Sequence, residues 1–295
     1  MADKKHKGSK SADSGSFDEK LLEMEKNMIG SQIGFEASEA YKLLRANIMY
    51  TLPDNKCRVI GITSSNRGEG KSMTAINLAY SFAETEKRVL LIDADMRIPS
   101  VARRLELERD PGLSNVLANL ANWQDVIRQS KLHANLKVLT AGRIPPNPNE
   151  LLGSNKMEEV IGEMSEYFDF IIVDLPPVNV VSDAIVISKA INGLAMVVRQ
   201  NHSSQQELNE SVSKLVFLGI KILGFVLNDV DDREKGYRKY RYGHKYGKKY
   251  GKYGKYGKYE KYGYGYGGYG DAAYADAGHN NNADKAHDND DAESN

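Results

Sequence analysis

The chain has 295 residues, and its 40 Lys and Arg are balanced by 40 Asp and Glu, so the formal net charge is zero. Cys57 is the only cysteine, which excludes an internal disulfide and a cysteine-built metal cage and favours a reducing compartment. The length suits one sizeable α/β domain with tails; no run of about 18 apolar residues offers a membrane span, and the N-terminal "MADKKHKGSKSADSGS" has no apolar core for a secretory leader.

Residues 1–17 are polar, and the stretch 1–35 is expected to be disordered or extended. Residues 36–51, "EASEAYKLLRANIMYT", place Ala40, Leu43, Leu44 and Ile48 at helical spacing. Strand-like runs follow at Val59–Thr63, Val89–Ile92, Leu136–Leu139, Phe170–Val173, Leu194–Val198 and Ile222–Leu227, with helices expected between them at 71–86, 156–166, 182–192 and 205–218. Most of these runs are apolar without alternation, as strands buried on both faces require. Strands alternating with helices predict a doubly wound, mostly parallel sheet in an α/β domain spanning 36–232. "GRIPPNPNE" at 142–150 reads as a loop, and Cys57 and Trp123 read as packing residues. His6, His244, His279 and His287 lie in the tails, and no histidine pair has zinc-ligand spacing.

Beyond Asp232 the folded pattern stops. Residues 233–270 carry twelve Lys and Arg against two Glu, a net of +10, in a Tyr, Gly and Lys-rich segment without Leu, Ile or Val. Residues 271–295 carry seven acids against one Lys, a net of −6, and read as an acidic disordered end. Thirteen tyrosines stand between Tyr237 and Tyr274. Tyr41, Tyr50, Tyr80 and Tyr167 lie within the domain and read as structural.

Residues 64–72, "SSNRGEGKS", sit between a predicted strand and a predicted helix. Consecutive backbone N–H groups and a helix N-terminus in that order make a phosphate cradle. Gly68 and Gly70 permit close backbone approach, Lys71 reaches the β- and γ-phosphates, and Ser72 offers a hydroxyl to Mg²⁺. The usual G-x-x-x-x-G-K-[ST] pattern has Ser65 at its first position here, and a Gly-rich turn into an ordinary helix is the competing reading. "VLLIDADMR" (89–97) and "FIIVDLP" (170–176) are apolar runs that end in aspartate. In an open parallel sheet, Asp93, Asp95 and Asp174 would converge beside the cradle and supply oxygen ligands for Mg²⁺. Singly, such residues are often helix caps or turn formers.

Together "SSNRGEGKS", "LLIDADMR" and "FIIVDLPP" resemble the Walker A, A′ and B motifs of the bacterial tyrosine kinases that regulate capsule and exopolysaccharide synthesis. The resemblance is to the separate cytoplasmic subunit of Firmicutes and covers roughly 36–230 plus the tyrosine cluster. "GLSNVL", "PPNPNELLGS" and "KILGFVLND" also resemble the family. It implies a P-loop NTPase fold of the deviant-Walker type. Positioning and scaffold ATPases of that class usually carry a lysine five residues before the invariant one, where this chain has Asn66.

The resemblance implies an ATP- and Mg²⁺-dependent kinase. The cradle is assigned Arg67, Gly68, Glu69, Gly70, Lys71, Ser72 and Met73, and Asn228 and Asp229 at the end of the last strand are expected to contact adenine. Ser72, Asp93 and Asp174 are the metal candidates. Lys71, Asp93 and Asp95 are the catalytic candidates, with Asp95 orienting the phenol. Arg97 either neutralises phosphate or pairs with a local carboxylate. The acceptors are expected in the tail at Tyr246, Tyr250, Tyr253, Tyr256, Tyr259, Tyr262, Tyr264, Tyr266 and Tyr269. A ring-like homo-oligomer is implied through Glu39, Lys42 and Arg45, where the family's helix has arginine at the position of Lys42. A transmembrane activator acting as a polysaccharide co-polymerase adaptor, a cognate tyrosine phosphatase and other tyrosine substrates complete the implied partners; no nucleic acid is expected. The protein would be cytoplasmic, held at the inner membrane face through its activator. The alternatives are a deviant-Walker positioning or scaffold ATPase without kinase activity, and a tail that binds an anionic polymer or membrane surface.

Overall fold

A computed structural model describes residues 28–52 and 57–230. The tail tyrosines and the acidic end lie outside the described residues. The first helix, α1, is Phe35–Thr51, and the first strand, β1, is Arg58–Ser64. They are followed by α2 (Lys71–Ala83), β2 (Val89–Asp93), and the short helices α3 (Val101–Arg104), α4 (Leu113–Leu117) and α5 (Trp123–Val126). Next come β3 (Arg128–Gln129), β4 (Leu136–Leu139), α6 (Pro148–Leu152), α7 (Asn155–Met164) and β5 (Phe170–Asp174). The chain continues through α8 (Asp183–Val186), β6 (Gly193–Arg199), α9 (Gln205–Phe217) and β7 (Ile222–Asn228).

The seven strands form one sheet in the order β3-β4-β2-β5-β1-β6-β7. Every pairing is parallel except β3 with β4. Because side chains alternate along a strand, each central strand feeds two cores. On one side Ile60, Ile62, Leu91, Ile172 and Val197 meet Ile76, Ala79 and Phe82 of α2, which α1 covers through Ile48. Phe82 stacks on Phe170 with centroids 4.0 Å apart. On the other side Leu90, Ile92, Ile171, Val173 and Met196 meet Leu113, Met157, Met164 and Leu215. Burial on both faces explains the unbroken apolar runs of the central strands.

Several expectations change. In α1 the inward stripe is Tyr41, Leu44 and Ile48; Ala40 and Leu43 face outward, Leu43 at 63% exposure. Tyr41 takes the core position because Asn77 and Thr74 satisfy its hydroxyl, while burial pushes that hydroxyl's pKa up. The N-terminal stretch packs from Met28 onward: Ile29 is buried, and Asn77 accepts from the Gly30 N–H and donates to the Met28 carbonyl. The loop read at 142–150 contains the start of α6, because Pro148 at the first helical turn lacks only an N–H that would be unpaired anyway. The helix read at 182–192 is α8 followed by a 3-10 turn (Ile187–Ala190), and Asn192 already bonds to Val59 of β1 in both directions. Tyr50 is 92% exposed and has no packing role. Trp123 is buried, and its Nε1 donates to Glu163 at 2.8 Å.

Candidate active site

With β5 between β2 and β1, the carboxyl ends of three strands lie side by side: Asp93 is the register partner of Asp174, and Asp174 that of Ile62. The loop from Ser65 to Gly70 leaves β1 here and becomes α2. Its shape is set partly from within. Glu69, buried, accepts from the Asn66 N–H at 2.9 Å, and the Ser64 hydroxyl donates to the Asn66 carbonyl at 2.7 Å. Gly70 turns at φ +94, where a side chain is strained and would sit 2.1 Å from Asn228 Nδ2. The rest of the bracing comes from more than 130 residues away. The Ser203 hydroxyl donates to Glu69, Arg199 Nη1 to the Gly68 carbonyl at 3.1 Å, and Asn228 Nδ2 to the Glu69 carbonyl at 3.0 Å. His202 Nε2 lies 3.3 Å from the Arg67 carbonyl. Asn228, expected at adenine, therefore has its amide on the loop backbone, and Asp229 pairs with Arg199 at 2.8 Å.

Lys71, the first residue of α2, reaches inward. Its Nζ bonds Asp95 Oδ2 at 2.8 Å and stands 3.7 Å from Asp174 Oδ1. Burial alone would depress the Lys71 pKa, but the charges of Asp174 and Asp95 outweigh it and raise it, so the ammonium persists. Asp95 Oδ1 accepts from the Ile98 N–H at 3.1 Å, which fixes the carboxylate facing the loop. Asp93 Oδ2 accepts the N–H groups of Ser100 and Val101 at 3.1 and 3.0 Å, tying down the start of α3. Asp93 Oδ1 and both Asp174 oxygens are buried without a hydrogen-bond partner. Burial raises both carboxyls, with the Asp174 charge adding to it at Asp93, and with Lys71 and the Ser72 hydroxyl opposing it at Asp174.

Buried acid oxygens that accept no close hydrogen bond, beside the Ser72 hydroxyl, fit a hard divalent cation. Among the described residues no group of three or more His, Cys, Asp and Glu is poised to cage a metal. A Mg²⁺ ion completed by phosphate oxygens and water does not need one.

A cavity of about 220 Å³ opens above Lys71. Arg67, Gly68, Gly70, Ser72 and Met73 line one side, and Asp95, Arg97 and Arg104 another. Arg97, whose role sequence left open, forms a bidentate pair with buried Asp183 at 2.8 and 3.0 Å. Asn149 also donates to Asp183, at 3.1 Å, so the "PPNPNELLGS" stretch supports the Walker A′ loop. Asp183, Arg199, His202 and Ser203 were missed by sequence reasoning because no local pattern links them to the loop they support.

The interface candidates separate. Lys42 and Glu39 form an exposed i,i+3 pair at 2.7 Å, whereas Arg45 folds inward and donates to the carbonyl and hydroxyl of Ser81 on α2. Burial pushes the Cys57 thiol up to about 11, leaving it a packing residue.

Comparison with known proteins follows this geometry. The AAA domain family model matches residues 57–213. Tyrosine-protein kinase YwqD of Bacillus subtilis is 38% identical over 65% of this chain and 80% of its own length. The kinase domain of the Escherichia coli tyrosine kinase ETK superposes with a TM-score of 0.64 at 30% identity, covering 67% of this chain and 77% of that one. The septum site-determining protein MinD of Pyrococcus horikoshii, solved with Mg-ADP, superposes at 0.50 with 25% identity, over 58% of this chain and 70% of that one.

Proposed function

The chain belongs to the bacterial tyrosine kinase family and is a protein-tyrosine kinase, and on that premise we propose that it transfers the γ-phosphoryl group of ATP to tyrosines of its own C-terminal segment, chiefly on a neighbouring copy. The observation that carries this reading is the Lys71–Asp95 contact at the foot of the cavity, beside the buried Asp174 carboxylate 3.7 Å from the same ammonium and the unbonded Oδ1 of Asp93. The nucleotide lies on the loop from Arg67 to Met73. Its phosphates draw Lys71 Nζ away from Asp95, which leaves Asp95 Oδ2 open to a phenol. The bond between the γ-phosphorus and the bridging oxygen breaks, ADP departs with the electron pair, a new bond forms from phosphorus to the phenol oxygen, and the phenol proton passes to Asp95. A free phenol titrates near 10, so the base assists only as the bond forms. Ser72, Asp174 and the unpaired oxygen of Asp93 would hold Mg²⁺, which neutralises phosphate charge when bound; MinD, of the same fold, binds Mg-ADP. Catalysis of this kind rests on positioning and charge more than on covalent chemistry.

The acceptors proposed are Tyr246, Tyr250, Tyr253, Tyr256, Tyr259, Tyr262, Tyr264, Tyr266 and Tyr269. A flexible stretch of about 34 residues has an r.m.s. span of roughly 30–35 Å, enough for an adjacent subunit at an effective concentration of about 1 mM. α1 is the proposed ring contact, with Glu39 and Lys42 outward. Among the described residues no helix is long and apolar enough to cross a membrane. Attachment to the inner membrane face is therefore assigned to a transmembrane activator, through which the kinase would regulate capsule or exopolysaccharide chain length; a tyrosine phosphatase would reset it.

Mixing two variants of the chain tests the transfer. One carries Lys71→Met with an intact tail; the other is active and ends at Asp232. Labelled phosphate on the inactive partner is the expected result. An unlabelled inactive partner would refute transfer between copies, and ATP hydrolysis without phosphotyrosine on the untruncated active chain would reduce the protein to a positioning ATPase.

A further inference from the structure

Two loops wall the cavity on the side away from the cradle. One follows β2 and carries Ile98; the other follows β5 and carries Pro176, Pro177, Val180 and Val181. Val180 and Val181 are held together by N–H bonds to the Pro177 carbonyl at 3.2 and 3.3 Å. Ile98 is 54% exposed and Val180 42%, while Asp95 beneath them is 5% exposed. Apolar side chains thus wall this side of the opening, above the Asp95 carboxylate. Ile98 cannot move independently of that floor, because its own N–H holds Asp95 Oδ1. Two aliphatic residues lining one opening offer apolar surface that an apolar group can cover.

The cavity rim also carries Arg67, Arg97 and Arg104. Tyr264, Tyr266 and Tyr269 have glycine on both sides, so the feature the proposed acceptors share is the ring rather than an adjacent charge. We infer that Ile98, Pro177, Val180 and Val181 form the subsite that receives the aromatic ring of the acceptor tyrosine, the occupant being a tyrosine of residues 237–274. This rests on the kinase reading above and extends it to acceptor selection. With the ring between Ile98 and Val180, the phenol oxygen descends to Asp95 and Lys71. A serine hydroxyl sits directly on Cβ; with its backbone held at the same opening it stops a ring's length short of the floor. Depth therefore selects tyrosine over serine and threonine, and the flanking sequence matters little, which suits a tail of near-repeats.

The test uses the full chain with its thirteen tail tyrosines replaced by serine, so that the tail does not compete, loaded with Mg²⁺ and a non-hydrolysable ATP analogue. The probe is a fluorescent peptide of residues 251–257, made with tyrosine, phenylalanine or serine at its two tyrosine positions and read by anisotropy. Tyrosine and phenylalanine peptides should bind within about threefold of each other and the serine peptide at least about tenfold more weakly. Ile98→Ser and Val180→Ser should each weaken the tyrosine peptide about tenfold, and Ile98→Leu, which keeps the wall apolar, should stay within about threefold. Equal binding of the three peptides overturns the slot, as does an Ile98→Ser protein that binds normally; the peptide comparison needs no slot variant, so a misfolded one costs nothing. With ATP in place of the analogue, a tyrosine peptide that binds but gains no phosphate refutes the kinase reading and leaves the slot standing.

Discussion

Asp93 and Asp174 are register partners on adjacent strands, and both are fully buried. Burial, aided by the charge of Asp174, pushes the Asp93 carboxyl up to about 8. In the unfolded chain the same group titrates near 4. The folded state therefore retains a proton that the unfolded state releases, and stability falls as pH climbs from about 4 to about 8. Asn at position 93 keeps an oxygen for the N–H groups of Ser100 and Val101 but carries no charge. Asp93→Asn should accordingly raise the thermal midpoint of the metal-free protein by several degrees at pH 8, and by much less at pH 5. Tyrosine phosphorylation should drop at least about 100-fold in the same protein. A midpoint that shifts equally at both pH values, or falls at pH 8, would contradict the linkage. Asp95 and Lys71 were legible one at a time, from a strand-terminal aspartate and a GKS turn. Their 2.8 Å contact was not, since it requires α2 and the loop after β2 to converge.

The loop between β1 and α2 is an element whose conformation is imposed mostly from β6, β7 and the turn before α9. Gly70 is where those constraints meet, at φ +94 and against Asn228. Gly70→Ala should strain the turn by about 1 kcal/mol and displace either the loop or Asn228. Calorimetric titration with Mg-ADP should show affinity lowered at least about tenfold, while the thermal midpoint moves by less than roughly 5 °C. Unchanged affinity would mean that the loop does not depend on this turn. The long elements were legible because burial on one or two faces writes a period into ten or more residues. α3, α4, α5 and α6 span only four or five residues each, too few for a period, and β3 has two. Their positions follow from local hydrogen bonds to the sheet, such as those from Leu113 and Ser114 to Thr140 and Ala141.

At the scale of the whole molecule, charge distribution controls assembly in the proposed cycle. Residues 233–270 begin at +10, and each phosphate adds about −1.5 to −2, so about five or six cancel that charge and more invert it. A basic segment is drawn to a phosphate-loaded site on a neighbour; an acidic one is repelled from it. Light scattering should find the phosphorylated protein smaller than the same protein after phosphatase treatment, and equal masses would rule out charge as the switch. Glu39 and Lys42 leave α1 pointing outward for such contacts, whereas Arg45 is committed to Ser81 within its own subunit.

Sequence by itself determined six of the seven strands, the cradle, the aspartate-tipped strands and the family, because each is a short-range pattern: an apolar run, a turn chemistry, a motif of a few residues. Only the tertiary structure decided which partners those residues take. It brought Arg97 to Asp183, Asn228 to the loop carbonyl, and Ile98 and Val180 to the lining of one cavity, all across 80 residues or more. Such pairings arise from strand order and loop path, which leave no periodic trace in the chain that folds into them.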